Sequence, residues 1–466
     1  MAITTNLSFL YLVSIGCFIM GIRLMNHPRT AVAGNSLAAL GMFIAVSYTI
    51  YTIHSSENIS EILIALSVGA LVGLSIASNI DMTALSEMVS VFNGLGGLAS
   101  AMITMALYIK LSEHHMSPFL LYSVAFSFAV GVVTFIGSWI AFLKLKGTMS
   151  GSQSQFHVLK SLRVIVFLAL LASVVWFSYD ETRTYAALKF LVILGVVFGL
   201  IFVLPNDGLD MPIVISILNS FSGVAAAVAG FVFFTIEPDI AILLIVGGTL
   251  VASSGLILTR VMCRAMNRSL WNVILGGFTA KEFVNESGEQ QIIKQTSSQE
   301  LAMLMDYSQK IMIVPGYGLA VAQAQHSVTA LADFLESQGK DITFAIHPVA
   351  GRMPGHINVL LAEANVEYEK LLSLDNANKE FKGCDLVLVI GANDIVNPAA
   401  IHKQGSPLYG MPILNAYKAK SIVVFKRGQS TGYSGIQNDL FYDDKTSMLF
   451  GDAKASVDDL LSELKS

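Results

Sequence analysis

Ile311–His326 reads IMIVPGYGLAVAQAQH. An apolar run leads into Gly316-Tyr317-Gly318, and a helix-like pattern follows. The order predicts a strand, a tight glycine turn and a helix. Such a turn brings backbone N–H groups and a helix N-terminus up to a pyrophosphate. The third glycine of a full G-x-G-x-x-G fingerprint, which lets a helix pack closely on its strand, is Val321 here. Taken alone, the motif fits an ordinary strand–helix turn as well as a nucleotide cradle.

The segments downstream extend the same alternation. LAVAQAQHSVTALADFLESQG (Leu319–Gly339) predicts one helix ending at a C-cap glycine. DITFAIHP (Asp341–Pro348), CDLVLVIGAND (Cys384–Asp394) and SIVVFKRG (Ser421–Gly428) predict strands. HINVLLAEANV (His356–Val366) and SVDDLLSELKS (Ser456–Ser466) predict helices. Strands alternating with helices imply a parallel, doubly wound sheet with its ligand at the strands' C-terminal ends.

The second strand separates the nucleotide classes. An NAD-binding domain usually places an acid there, roughly 20 residues after the turn, to bond the ribose 2′-OH. Here that strand ends in His347-Pro348, with Arg352 just beyond and no acid. Lys426 and Arg427 stand at the end of a later strand. Two cations there suit a 2′-phosphate, Arg as a bidentate fork and Lys as a point charge. The combination favours NADP(H) over NAD(H). Two further glycine-rich loops can approach the ligand. One is HPVAGRMPGH (His347–His356), with Gly351, Arg352 and Gly355; the other is VIGANDIVNPAA (Val389–Ala400), with Gly391, Asn393 and Asp394. Asp394 is either a turn cap or a carboxylate whose protonation responds to ligand charge. Tyr433 can cover the nucleotide as a lid, and Tyr317 is the residue expected nearest the nicotinamide.

The first half is different. The chain has 466 residues, of which 54% are hydrophobic and 13% charged, against about 25% charged in soluble proteins. Only 12 Lys and Arg lie between Met1 and Arg268. A helix needs roughly 20 apolar residues to cross a bilayer. Nine segments qualify, at 6–25, 34–53, 60–78, 85–109, 117–143, 161–178, 185–204, 211–234 and 239–259. The first reads as a retained helix rather than a signal peptide. If the spans alternate, Arg23, Arg29, Lys144, Lys146, Lys160, Arg163, Arg260, Arg264 and Arg268 share one side, and Lys110, Arg183 and Lys189 the other. The positive-inside rule then puts the N-terminus outside and the second half in the cytoplasm. The expected division is a membrane domain over 1–270, a linker over 271–300 and a soluble domain over 301–466. A net charge of −5 gives no case for nucleic acid, and Cys17, Cys263 and Cys384 are too scattered for a disulfide framework or a metal site.

Polar groups inside the spans form a level. Asn93 and Asn219 lie about eight residues in from the cytoplasmic ends of two helices, and Ser138 and the pair Ser253-Ser254 lie similarly near those of two others, a common depth of ~10–12 Å at ~1.5 Å per residue. They form either interhelical hydrogen bonds or a polar pathway. Asp210 and Glu87 guard the entries to two of these helices. His54, His114 and His115 fall near outer loops, and no His or Lys stands at mid-membrane.

Several long motifs occur together. VPGYGLAVAQAQ, IHPVAGRMPGHINVLLAEA, VIGAND with VNPAA, VFKR and GDAKASVD resemble the nucleotide domain of the proton-translocating NAD(P) transhydrogenase family, and DMPIVISILNSFSG and VMCRAMNRS resemble its membrane domain. The resemblance covers nearly the whole chain and is to the beta subunit. It implies a polytopic all-α membrane domain followed by an α/β Rossmann-like domain, and hydride exchange between NAD(H) and NADP(H) coupled to proton movement. It further implies that Lys426 and Arg427 hold the 2′-phosphate. Gly316, Tyr317, Gly318, Ala320 and Val321 then line the turn, and Arg352 and Gly355 belong to a loop over the ligand. Asp394 links nucleotide state to protonation, and Tyr433 lies in the lid. Asp210, Asn219 and Ser138 fall on translocation positions, and Asn93 stands where many members carry a membrane histidine.

No second nucleotide turn is present, so NAD(H) is expected on a partner. The resemblance implies alpha subunits that carry the NAD(H) domain and further membrane helices, assembled as a dimer of alpha–beta units in the inner membrane. Two other readings compete from the residues alone. One is a nucleotide-gated channel or secondary transporter with an NADP(H)-sensing domain, for which a filter or paired broken helices would be expected. The other is a membrane NADPH oxidase, which would need an intramembrane His pair for haem.

Overall fold

A computed structural model describes residues 2–54, 58–80, 84–111, 116–149, 157–179, 184–206, 210–234, 236–267, 269–275, 293–351, 353, 355–404, 406, 408–432 and 434–466. They form two compact units. The first holds residues up to 206 with Ile213–Thr259 and 274–275; the second holds 293–466 with 210–212 and 260–273.

Among the described residues, the first half of the chain folds into nine long helices: α1 (Ala2–Met25), α2 (Pro28–Ile53), α3 (Ile59–Asn79), α4 (Leu85–Leu111), α5 (Pro118–Leu145), α6 (His157–Tyr179), α7 (Thr184–Val203), α8 (Met211–Phe233) and α9 (Pro238–Ala265). Among the described residues, eight of them are long and apolar enough to cross a membrane, while α1 presents the shorter apolar stretch Phe9–Met25. Helices are the natural solution, because each satisfies its own backbone where no water can. Small residues let pairs of helices close on each other. A Cβ built on Gly131 of α5 would lie 2.6 Å from the Gly97 carbonyl of α4, and one on Gly223 of α8 would lie 2.5 Å from Ala252 N of α9. Such contacts replace the hydrophobic drive that lipid removes.

Arg163 belongs to α6 and is 2% exposed. Its guanidinium donates to Ile201 O (2.9 Å) and Phe202 O (3.2 Å) at the end of α7. It also donates to Ile274 O (2.8 Å) of α10 (Leu270–Leu275). Lys144 joins it, donating to the carbonyls of Leu204 and Asn206 (2.8 Å). Two cations thus meet the unpaired carbonyls and negative dipole end of α7. His114, His115, Arg183 and Arg268 lie outside the described residues, as does 276–292 of the expected linker. Past residue 292, Thr296 N–H donates to Met448 O (3.0 Å). Ser297 then caps α11 (Ser298–Asp306) in a capping box with Glu300.

The remaining elements are β1 (Lys310–Pro315), α12 (Tyr317–Val321), α13 (Gln325–Ser337), β2 (Asp341–Ile346), α14 (His356–Glu363), β3 (Leu371–Ser373), α15 (Leu374–Glu380), β4 (Leu386–Ile390), α16 (Ala399–His402), β5 (Ser421–Lys426), β6 (Thr446–Phe450) and α17 (Ala453–Lys465). The six strands among the described residues are all parallel, in the order β3-β2-β1-β4-β5-β6. Helices cover both faces, so β4 (LVLVI) is buried at every position, as parallel strands require. Two strands escape the sequence pattern: β3 has only three residues, and β6 (TSMLF) lacks the continuous apolar run that marks β4.

Candidate functional site

The strand order reverses between β1 and β4. The chain winds outward through β2 and β3, then returns for β4, β5 and β6. Loops leaving β1 and β4 therefore start side by side, with Pro315 in register with Ile390. A ligand crevice is expected at this switch point.

The glycines here have a specific job. Gly316 N–H donates to Ile390 O (2.9 Å) and Gly318 N–H to Gly391 O (2.8 Å). A Cβ on Gly316 would lie 2.3 Å from Ala392 Cα, and one on Gly318 would lie 2.7 Å from Gly391 Cα. Gly391 itself adopts a left-handed φ of +68°, which favours glycine. The motif is thus required first for two backbones to cross. Two of its N–H groups, expected to face a pyrophosphate, are taken up by the β4 end.

The single helix expected over Leu319–Gly339 is two. Gln323 adopts a left-handed φ of 51°, which ends α12 after five residues before α13 begins. Val321 is 42% exposed, so no close helix–strand packing occurs where the third glycine would stand. Ala320 is wholly buried, and Tyr317 packs partly against the core.

At the end of β2, His347 is buried. Its Nδ1 accepts from Val349 N–H (3.2 Å) and its Nε2 faces Pro412 O (2.8 Å), which fixes the Nε2–H tautomer. Burial pushes its pKa down to about 4, so the ring is neutral at pH 7. This strand end carries neither the acid of an NAD site nor a positive charge. Gly351 (φ +103°) and Gly355 (φ +73°) shape the following loop, with a Cβ on Gly351 landing 2.6 Å from the His356 ring. Arg352 and Tyr433 lie outside the described residues.

Beyond β4, Asp394 meets the loop that follows β5. Its Oδ1 accepts from Ser434 Oγ (2.7 Å) and its Oδ2 from Ser434 N–H (3.0 Å). The Asn393 carbonyl accepts from Asn438 Nδ2 (2.9 Å). Lys426, at the end of β5, donates to the Ser430 carbonyl and lies 4.8 Å from the centre of the Phe441 ring. Burial lowers its pKa from the usual Lys value, and the Asp394 carboxylate works against that shift. Arg427 turns elsewhere, bonding Asp452 Oδ2 at 3.0 Å. Asp452 also caps α17 through Lys454 N–H (3.1 Å) and Ala455 N–H. The structure therefore brings Asp394 and Lys426 into one cluster with the post-β5 loop and places Arg427 on a separate partner. Ser434, Asp452 and Phe441 were not singled out from sequence. Ser434 and Asp452 were hidden in polar turn residues, though a Ser/Gly/Asn-rich run after a strand is itself a loop signal.

In the membrane unit Asn93 bridges three helices. Its Nδ2 donates to Ser138 Oγ of α5 (3.0 Å), and its Oδ1 accepts from Ser222 Oγ of α8 (2.8 Å). The Ser222 hydroxyl has a second acceptor at 2.8 Å, Asn219 O. From sequence Ser222 reads as a small residue for helix packing rather than as part of this polar level, although it lies three residues from Asn219 on the same helical face. Ser253 and Ser254 depart from expectation: both are exposed and bond carbonyls of their own helix. They share the depth but occupy the wrong face. Asp210 is buried just before α8.

Comparison with known proteins gives a consistent result. Residues 7–463 match the model of a family described as NAD(P) transhydrogenase beta subunit. Two curated relatives, each called NAD(P) transhydrogenase subunit beta, come from Rhodospirillum rubrum and from one of its strains. Each is 40% identical over 463 residues, covering 97% of this chain and 98% of the relative.

Proposed function

The chain belongs to the NAD(P) transhydrogenase beta subunit family, and from that premise we propose that it holds NADP(H) at the C-terminal edge of its parallel sheet. The enzyme transfers hydride between NAD(H) and NADP(H), coupled to proton translocation across a membrane, and this chain is a multi-pass membrane subunit of it. An alpha subunit completes it; we assign NAD(H) to that partner, within a dimer of alpha–beta units.

One observation carries the choice of nucleotide. The β2 end presents a neutral, buried His347, while the β5 end presents Lys426 and Arg427. A site with no acid for the ribose and two cations three strands along the sheet suits a 2′-phosphate. In this reading Gly316, Tyr317, Gly318, Ala320 and Val321 form the turn beside the nicotinamide half. Gly351, Arg352 and Gly355 supply one covering loop and Tyr433 another. Gly391, Asn393 and Asp394 line the floor at the switch point. Hydride passes directly between two nicotinamides, so the protein's contribution is positioning and exclusion of water. Asn93, Ser138, Asn219 and Asp210 belong to the proton route. The amides of Asn93 and Asn219 and the Ser138 hydroxyl do not titrate near neutrality, so their part is to hold the route's walls and water, and among these four only the Asp210 carboxylate can carry charge. The domains divide as 1–270, 271–300 and 301–466. The N-terminus faces outward and the nucleotide domain lies on the cytoplasmic side of the inner membrane.

The test co-expresses the chain with its alpha subunit in inverted vesicles. Hydride transfer from NADPH to an NAD analogue and vesicle acidification are followed together. The two rates should rise and fall together, and an opposing proton gradient should slow hydride transfer. Hydride transfer indifferent to the gradient contradicts the coupled reading.

A further inference from the structure

We propose that Ser86 and Ser90 are positioning residues that hold water on one side of Asn93, and so extend the proton route from the Asn93 network to the first turn of α4. This rests on the reading that the route passes through Asn93.

The three residues share a face. Spacings of four and three residues put Ser86, Ser90 and Asn93 one above another on α4. The column is ~10 Å long at ~1.5 Å per residue. Ser86 is 3% exposed and Ser90 0%, yet neither hydroxyl has a hydrogen-bond partner among the described residues. A buried hydroxyl left in that state is costly, and hydrocarbon around the helices offers it nothing.

The other side of Asn93 is built differently. Further along α4, Ser100 donates to Gly96 O (3.1 Å) and Thr104 to Ser100 O (2.8 Å). On α5, Thr134 donates to Val130 O (2.7 Å) and Ser123 to Phe119 O (2.9 Å), while Ser127 crosses to Ala225 O of α8 (2.7 Å). Each buried hydroxyl of these two helices on that side has a protein acceptor. The two of α4 on the near side have none among the described residues.

Whatever serves Ser86 and Ser90 must be small and able both to donate and to accept. Their own chain covers both serines, so a side chain from a partner subunit cannot reach them. Water can, because buried water typically satisfies such orphaned polar groups. A file of about three waters at ~2.8 Å spacing spans the column. With alternating spans, α4 and α8 run in the same direction. Ser90 and the half-buried Asn219 each lie three residues before the bonded pair Asn93–Ser222. Asn219 then stands level with Ser90 and gives the file a second polar wall. The bonds among Asn93, Ser138 and Ser222 mark where this hydrated arm ends.

The experiment uses the full chain with its alpha subunit in inverted vesicles. Ser86→Cys, Ser90→Cys and Ser100→Cys are each exposed to a water-soluble methanethiosulfonate, and labelling at each site is read by peptide mass spectrometry. The first two should label about tenfold faster than the third or more, because the thiolate is the reactive form and apolar burial suppresses it. Ser86→Ala combined with Ser90→Ala should slow steady-state hydride transfer and vesicle acidification together about tenfold, the loss of one hydrogen bond to the water file. The solvent deuterium isotope effect should rise, while hydride transfer in the first turnover, made at the sheet edge, keeps its rate. Ser90→Thr, which keeps the hydroxyl, should retain the parent's isotope effect. Equally slow labelling at all three positions, or parent-like turnover in the double alanine variant, overturns the proposal. Where the alanine variant does not fold, labelling decides. Unchanged proton movement per hydride in Asn93→Ala removes the route through Asn93 itself, a result distinguishable from failure of the serines.

Discussion

Two aspartates flank β4, Asp385 just before it and Asp394 four residues past its end. Asp385 accepts from the backbone N–H groups of Gln309 (3.0 Å) and Lys310 (2.9 Å) and from Lys420 Nζ (2.7 Å). Its partners are the starts of β1 and β5, so one carboxylate pins the N-terminal edge of the sheet. The Lys420 ammonium, helped by those N–H groups, holds its pKa down at about 2. Asp394 is gripped by a residue of a loop instead. The same side chain is held by strand starts at one end of β4 and by a loop at the other. What differs is whether the donor sits on a strand or on a loop.

The largest break in that contrast comes from glycines at the two ends. Gly316→Ala puts a Cβ 2.3 Å from Ala392 Cα, backbone against backbone. It should cost more than ~3 kcal/mol, because neither backbone can yield. Gly383, near the opposite edge, has open space around it, and Gly383→Ala should cost under ~0.5 kcal/mol. Denaturant unfolding of the two variants checks the pair.

Acid sharpens the comparison next. The folded-state pKa of His347, about 4, lies below its ordinary 6.5. Its contribution is therefore complete above pH 6.5 and is lost as pH falls toward 4. Between pH 7.5 and 4.5 the domain should lose about 2–3 kcal/mol, read by hydrogen exchange of β2 amides. His347→Gln should flatten that slope. Asp385 also has a depressed pKa, so its support is present above 3.8 and lost as pH falls through about 2. Asp385→Asn should lower Tm by several degrees at pH 7, and its difference from the parent should shrink in strong acid. NADPH affinity should not change.

The smallest effect on stability lies in the membrane. Ser222→Ala removes the hydroxyl that joins α8 to Asn93, and hydrogen bonds between membrane helices average only ~0.6 kcal/mol. Its mark should be on coupling: protons moved per hydride should fall while hydride transfer in uncoupled vesicles stays within about twofold. An unchanged ratio removes Ser222 from the route.

Much of this was legible in residue order. Continuous apolar runs gave β1 and β4, because strands buried on both faces need them. Rise per residue brought Asn93 and Ser138 to one depth, and the structure bonds them. Depth does not specify azimuth, so Ser253 and Ser254 were grouped with them although they face outward. A left-handed Gln323 has no sequence signature, which is why α12 and α13 read as one helix. Ser434 lay in STGYSGIQND, where several residues could equally have met Asp394. Only the fold decides which one does.

The central claim is that the sheet's C-terminal edge selects NADP(H). The most direct measurement is equilibrium binding of NADPH and NADH to the full chain, in the parent and in Arg427→Ala. The parent should bind NADPH with at least a hundredfold preference. Arg427→Ala should lose about tenfold or more for NADPH, as expected for a charged contact to phosphate, with little change for NADH. Equal binding of the two nucleotides by the parent, or an equal loss for both in the variant, would contradict it.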